Sequence, residues 1–454
     1  MSDKITFTNK QGENASEIFA QVKELSISIN QPLPFIIEKE ISPLDIRARL
    51  KDFGRGEKFY FRTRDNRNEL GAFRAAFSAS PEKAEEILKL SPQDNLFFLI
   101  ALRFTKSKKK DDVWDEFPDG LCFVPEIMIR RLDNKYVMQY CMVIDSKIEP
   151  EELNKYGKNY EDLSATEKSS HSDNVPDLEH NQYLPDKEAW NRIISKCLNA
   201  INAGDLKKIV MSRRIDYRAV SPINPFDLLI SLDNNQKNNY AMLYQGKNGK
   251  SFISISPERL YRRENEKISV DALSSTVDRG ETAEDDAKLE RLLFDDAKLQ
   301  REHQAVIDGV EKSLAALCNH PIKIDPPKVL KLSRIQHLLA RITGQLKNDV
   351  GDRKIIETLP PTPAVGGTPR EVAADMISQL EPFDRGWYAG PIGYWGKHES
   401  EIMVGIRSMA IEGERAHVYV GSGIVEGSNP DGEWRETESK NVMNSLIART
   451  DVKI

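Results

Sequence analysis

Between residues 187 and 450 the strand-like segments come in groups, and this grouping is the strongest constraint on the fold. Ala241–Gln245, Ser251–Ser256 and Leu260–Arg263 precede one long helical stretch, Asp286–Leu317. Gly390–Gly396, Glu401–Ile411 and Ala416–Gly421 precede a closing helix over Glu433–Arg449. Strands that follow one another through short turns pair antiparallel, whereas parallel strands need a crossover between each pair. The pattern therefore predicts an α+β protein with largely antiparallel sheet. A strand over Lys207–Tyr217 and helices over Asp186–Ala203, Phe226–Leu232 and Arg370–Leu380 complete this half, with Gly204 as a C-cap of the first helix.

The N-terminal part reads as strands Leu33–Ile41 and Phe59–Thr63, helices Glu69–Ala79 and Pro81–Leu90, and a hairpin of Gly120–Arg130 with Tyr136–Asp145 across the Leu132–Lys135 turn. Ser146–Asp186 is acidic, rich in Ser and Asn, and without apolar periodicity, so it reads as an exposed linker or insertion and as the one plausible domain boundary. With 65 basic against 71 acidic residues in 454, no basic excess marks a nucleic-acid binder. The run Lys106–Lys110 reads as a solvated loop. The longest apolar run, Leu96–Leu102, is far below the ~20 residues that span a bilayer, and no secretory signal follows Met1. The four cysteines and seven histidines are scattered, without the spacing of a disulfide framework or a zinc site. A cytoplasmic protein, monomeric by default, is expected.

Two helices carry acid on apolar faces. In Asp286–Leu317 the stripe runs through Leu289, Leu292, Leu299, Val306, Val310 and Leu317, and Glu302 falls inside it. An unpaired carboxylate there would cost several kcal/mol; a break at a groove edge is the plain alternative. Glu433, Glu436 and Lys440 share one face at i, i+3 and i+7, and the same step continues to Met443 and Ile447. An exposed salt bridge from Glu436 to Lys440 is the plainer reading; a cation and anion site is the other. Oxygen ligands without His or Cys point to a hard ion, and Mg²⁺ fits best. The loop Leu359–Arg370 is rigid and leads into a helix whose N-terminus suits an anion. Gly421-Ser422-Gly423 by itself reads as a turn. Neither a dinucleotide-binding GxGxxG nor a P-loop occurs.

Lys208–Arg213, Ser256-Pro257-Glu258, Arg301-Glu302-His303, Pro361–Arg370, Arg385–Gly390, Gly421–Val425 and Glu433–Thr437 occur in one order over about residues 186–449. Together they resemble the chorismate-utilising enzymes of menaquinone, siderophore and tryptophan biosynthesis, and among these the isochorismate synthases. The resemblance implies a single large domain of antiparallel sheets packed face to face, with helices outside and a deep cleft. Residues 1–145 become its variable N-terminal part, 146–186 an internal insertion and 187–450 the catalytic core. The implied substrate is chorismate and the implied cofactor Mg²⁺.

The roles carry over onto matching residues. Lys208 is implied as the general base on water and Glu258 as the general acid toward the leaving hydroxyl. Glu302 and Glu436 are implied as metal ligands, with Glu433 acting through water. Lys440, Arg407, Tyr388 and the amides of Gly421 and Gly423 are implied to hold the two carboxylates, and Thr276 and His337 to line the ring. Amine-adding relatives generally carry glutamine or another residue at the Lys208 position, so lysine here favours water as nucleophile. The chain departs from the family at Ser274-Ser275-Thr276, where Ala-Gly-Thr is usual. Ser275 is expected to crowd the pocket or to donate to substrate, with the crowding relieved by a small backbone shift; a glycine there would slightly destabilise the fold if φ is negative. A salicylate synthase and a non-catalytic chorismate-binding protein are the alternative readings.

Overall fold

Strand Phe97–Leu102 shows how the halves of the chain are joined. Every residue of it but Leu102 is buried, and it pairs on one side with Gly120–Leu132 and on the other with Pro391–Gly396. Lys58–Arg62 likewise pairs with Tyr240–Gln245. N-terminal strands thus lie inside the same hydrogen-bonded network as C-terminal ones, and the chain forms one domain with no boundary at 146–186. The computed structural model describes residues 15–105, 111–148, 175–234, 238–444 and 446. Lys106–Lys110 and most of the polar 146–186 segment lie outside these. Among the described residues twenty strands, paired antiparallel, make a single connected network. Among the described residues two large apolar clusters pack with it, one including Trp190, Trp387 and Trp395, the other Ile215, Leu229, Ile253 and Val418, and a small third gathers Leu293, Leu299 and Leu338. Among the described residues no helix is long and apolar enough to cross a membrane.

Several predicted elements change. Residues 69–79 form a strand, Asn68–Ser78, not a helix: Leu70 and Ala72 turn inward between two partner strands, and tertiary pairing overrides the local sequence. The long helix is two helices, Ala283–Asp295 and Ala297–Leu317, because Asp296 takes an extended conformation and its carboxylate caps Leu299 N–H. Glu401–Ile411 divides into Glu399–Val404 and Ser408–Glu412. The closing helix is Pro430–Ser439, capped at its start by Asn429 and ending at Lys440; Ile447 lies outside the described residues. Leu178–Leu184, inside the expected insertion, is a strand beside Lys208–Ala219. Lys267–Asp278 and Ile335–Gln345, not anticipated, pair across their full length and carry one wall of the site.

Candidate active site

Lys208 opens the strand Lys208–Ala219 and is completely buried, a position tolerable for an ammonium only beside an anion. That anion is Glu302, whose Oε1 accepts from Lys208 Nζ at 3.1 Å. Glu302 does lie in the apolar stripe of Ala297–Leu317, buried with Leu299, Val306 and Val310. Against the cost of burial, the ammonium groups of Lys208 and Lys440 hold its carboxyl below the usual range.

The next strand over, Arg415–Ile424, runs antiparallel to Lys208–Ala219 and sets Gly421 opposite Ser212 and Gly423 opposite Val210. The Gly421 carbonyl accepts from Lys440 Nζ at 3.2 Å, so it faces away from its partner strand. In an antiparallel ladder a residue's N–H and C=O point the same way, and residues two apart alike. The amides of Gly421 and Gly423 therefore face the cleft. Side chains are barred at both: a Cβ on Gly421 would sit 2.6 Å from the Tyr388 hydroxyl, and one on Gly423 would collide with Glu302. The pairing confirms that Gly421-Ser422-Gly423 is strand rather than turn.

Glu258 follows the strand Ser251–Ser256 and lines the same cleft. Burial pushes its carboxyl up to about 8, with Lys208 pulling the other way, so it stays protonated at neutral pH. Arg407 sits in the break between Glu399–Val404 and Ser408–Glu412 with φ +49°, which turns its guanidinium inward from what would otherwise be a continuous strand. Burial lowers it to about 10, and among the described residues no carboxylate lies within ion-pair distance of it. Its Nη2 lies 2.6 Å from His337 Nε2. A guanidinium only donates, so Nε2 is the acceptor and the His337 hydrogen is on Nδ1. Burial, with Arg407 and Lys440 nearby, keeps that imidazole neutral. Nδ1 then donates to Thr276 Oγ1 at 3.1 Å, leaving the threonine hydroxyl free to donate into the cleft. Tyr388, stacked on Tyr419 at 5.4 Å, closes one side. Ala364 and Val365 supply an apolar wall, while the first residues of helix Arg370–Leu380 are not among those lining the cleft.

Ser275 does line the cleft, but its hydroxyl donates to the Leu299 carbonyl at 2.6 Å and so is not aimed at substrate. It occupies a bulge between Ser274 and Thr276 with φ +56°, the left-handed region that suits glycine. The condition for a destabilising glycine, negative φ, is thus not met. In Ser275→Gly the relief of strain, about 1–2 kcal/mol, offsets the lost hydrogen bond at about 1 kcal/mol and the added unfolded-state entropy. Thermal stability should change little, and the Michaelis constant by less than about tenfold. Steady-state kinetics with product chromatography check this; a new main product would show that Ser275 sets the outcome of the reaction.

The arrangement so far is a protonated carboxylic acid, a guanidinium with no carboxylate partner among the described residues and two inward amides around one cleft, with the fully buried Lys208 held against Glu302 in its wall. The family model described as chorismate binding enzyme matches residues 21–447. The chain belongs to the chorismate-binding enzyme family. An isochorismate synthase MenF from Bacillus subtilis is 30% identical over 345 residues, 74% of this chain and 71% of its own. One from Haemophilus influenzae is 28% identical over 431 residues, 94% of each chain. Among solved structures, the menaquinone-specific isochorismate synthase MenF from Escherichia coli, 26% identical, superposes with a TM-score of 0.80 over 95% of this chain and 99% of that one.

Within this chorismate-binding fold the expected metal ligands are each matched by a lysine. Glu302 meets Lys208, Glu436 meets Lys440 at 2.6 Å, and Glu433 meets Lys298 at 2.6 Å. Among the described residues no group of three or more His, Cys, Asp or Glu is gathered around one point. Burial raises the Glu436 carboxyl, and the nearby Glu433 and Glu302 add to this, so a cation between them would be welcome. Two carboxylates, with water and an anionic substrate, fit Mg²⁺ in donor chemistry. Glu433 fits less directly, since its other oxygen accepts from Ser422 at 2.5 Å and both are taken. Lys298, Ser422 and Arg213 were not anticipated. Arg213 stacks 3.5 Å from the Trp434 ring and donates to Thr437 and Glu438, clamping the acidic helix to the Lys208 strand. A buried arginine five residues after Lys208, facing a tryptophan one residue after Glu433, is a pairing no local pattern reveals.

Proposed function

We propose that this protein is a Mg²⁺-dependent isochorismate synthase: water adds at ring carbon two of chorismate and the hydroxyl at ring carbon four leaves. It is an isomerase, since the water taken up equals the water released. What supports this is a cleft lined with groups for carboxylates and by a Glu258 that remains protonated to about pH 8, with Lys208 bonded to Glu302 in its wall. Once its ammonium has released a proton, Lys208 Nζ takes one from the attacking water, while the Glu258 proton goes to the departing hydroxide. Arg407, Lys440 and the Gly421 and Gly423 amides complement the two substrate carboxylates; Thr276 donates toward the ring. A Mg²⁺ held by Glu302 and Glu436 would supply positive charge for one carboxylate.

A role in menaquinone rather than siderophore biosynthesis is favoured by the near full-length likeness to a menaquinone-specific enzyme. Chromatography of chorismate turnover, with and without Mg²⁺, tests the assignment. Isochorismate is the expected product; salicylate formed without an added lyase would assign a salicylate synthase, and stoichiometric binding without turnover a non-catalytic protein.

A further inference from the structure

Arg64 lies in the turn between strands Lys58–Arg62 and Asn68–Ser78, in the N-terminal third of the chain. The strand before it, Lys58–Arg62, pairs with Tyr240–Gln245, which pairs with Ser251–Ser256, so the side chain reaches the acid loop. Nη1 donates to the Pro257 carbonyl at 2.8 Å, and Nη2 lies 2.7 Å from Asp271 Oδ2. The guanidinium carbon is 5.9 Å from the Tyr240 ring centroid. The Asp271 side chain is fully buried; a second cation beside it, Arg341, is 3.6 Å away and half-exposed.

The Pro257 carbonyl belongs to the same peptide plane as the Glu258 N–H. That N–H donates to Ser256 Oγ at 3.2 Å, and Ser256 Oγ in turn donates to the Val404 carbonyl at 2.6 Å. Val404 N–H donates to the Glu258 carbonyl at 3.1 Å. One end of the plane is therefore held by the catalytic core through a long hydrogen bond. The other end is held by Arg64.

We propose that Arg64 is a positioning residue: it fixes the Pro257–Glu258 peptide plane and with it the direction in which the Glu258 carboxyl enters the cleft. This gives the N-terminal part of the chain a role in the chemistry, and it rests on the reading of Glu258 as general acid. Displacing a reacting group by about 1 Å costs up to about 100-fold in rate.

The test separates position from charge balance. Arg64→Met strands a buried carboxylate and is expected to lower the melting temperature as well as kcat. Arg64→Met combined with Asp271→Asn removes both charges and should regain the melting temperature. Its kcat, at its own pH optimum and against an Asp271→Asn reference, should stay about 10- to 100-fold low, with the Michaelis constant within about threefold. Arg64→Lys keeps a cation beside Asp271, and a smaller loss of kcat is expected. Reference-level kcat in the double variant, or a loss confined to the Michaelis constant, would make Arg64 a counter-ion only and overturn the proposal. Glu258→Gln run alongside keeps the two readings apart: full activity there sinks the acid assignment, whatever Arg64 does.

Discussion

Replacing Glu258 by glutamine is expected to lower kcat by at least about 100-fold, the scale of a positioned proton-transfer group, with chorismate binding largely kept. Lys208→Ala should lose as much. In the wild type, kcat/KM should fall about tenfold per pH unit above about pH 8, as the buried Glu258 gives up its proton. Among the described residues the carboxyl makes no hydrogen bond that a glutamine amide would break, so the variant should fold. Its stability supplies a second check. The folded state holds this proton to higher pH than the unfolded chain does. Wild-type stability therefore declines, relative to the glutamine variant, as pH rises from the ordinary glutamate range through about 8. Thermal melts at several pH values measure this. A Lys208→Ala enzyme that still adds water at close to the wild-type rate would place the base elsewhere.

Removing divalent metal should abolish turnover, and adding Mg²⁺ should restore it. Glu436→Gln should lose at least about 10- to 100-fold in activity, the loss that follows even when an outer partner of a metal ligand is removed. It should also weaken Mg²⁺ binding measured by calorimetry. The fold should survive, because Lys440, the Glu436 partner, is also held by the Gly421 carbonyl. Full activity in excess chelator would refute the metal assignment, and unchanged Mg²⁺ affinity in Glu436→Gln would remove that residue from it.

The site was legible where a residue violated a periodicity. Glu302 stood out because helix Ala297–Leu317 has an apolar stripe to interrupt, and it is buried there beside Lys208. Glu433, Glu436 and Lys440 stood out by spacing, although their helix ends at Ser439 and Lys440 is its C-cap. Lys208 and Glu258 were legible only through the family resemblance, since a single charge in a strand-like run carries no periodic signal. Arg407 and Ser275 were placed by the same resemblance, but their geometry was not foreseen. Both are non-glycine residues with positive φ at strand irregularities, and such strain exists only because the surrounding ladders impose it.

By itself the sequence determined the class of fold and the order of most strands and helices, because turn residues and apolar periods act over a few neighbours. It also determined the set of charges that would have to be hidden. Only the tertiary structure decided that residues 68–78 are strand and that Arg407 points inward. It alone turned the Ser275 hydroxyl to Leu299 and brought Arg64 to the acid loop. Each of these depends on pairing between segments tens to hundreds of residues apart, and the energy of such contacts is written in no local stretch of the chain.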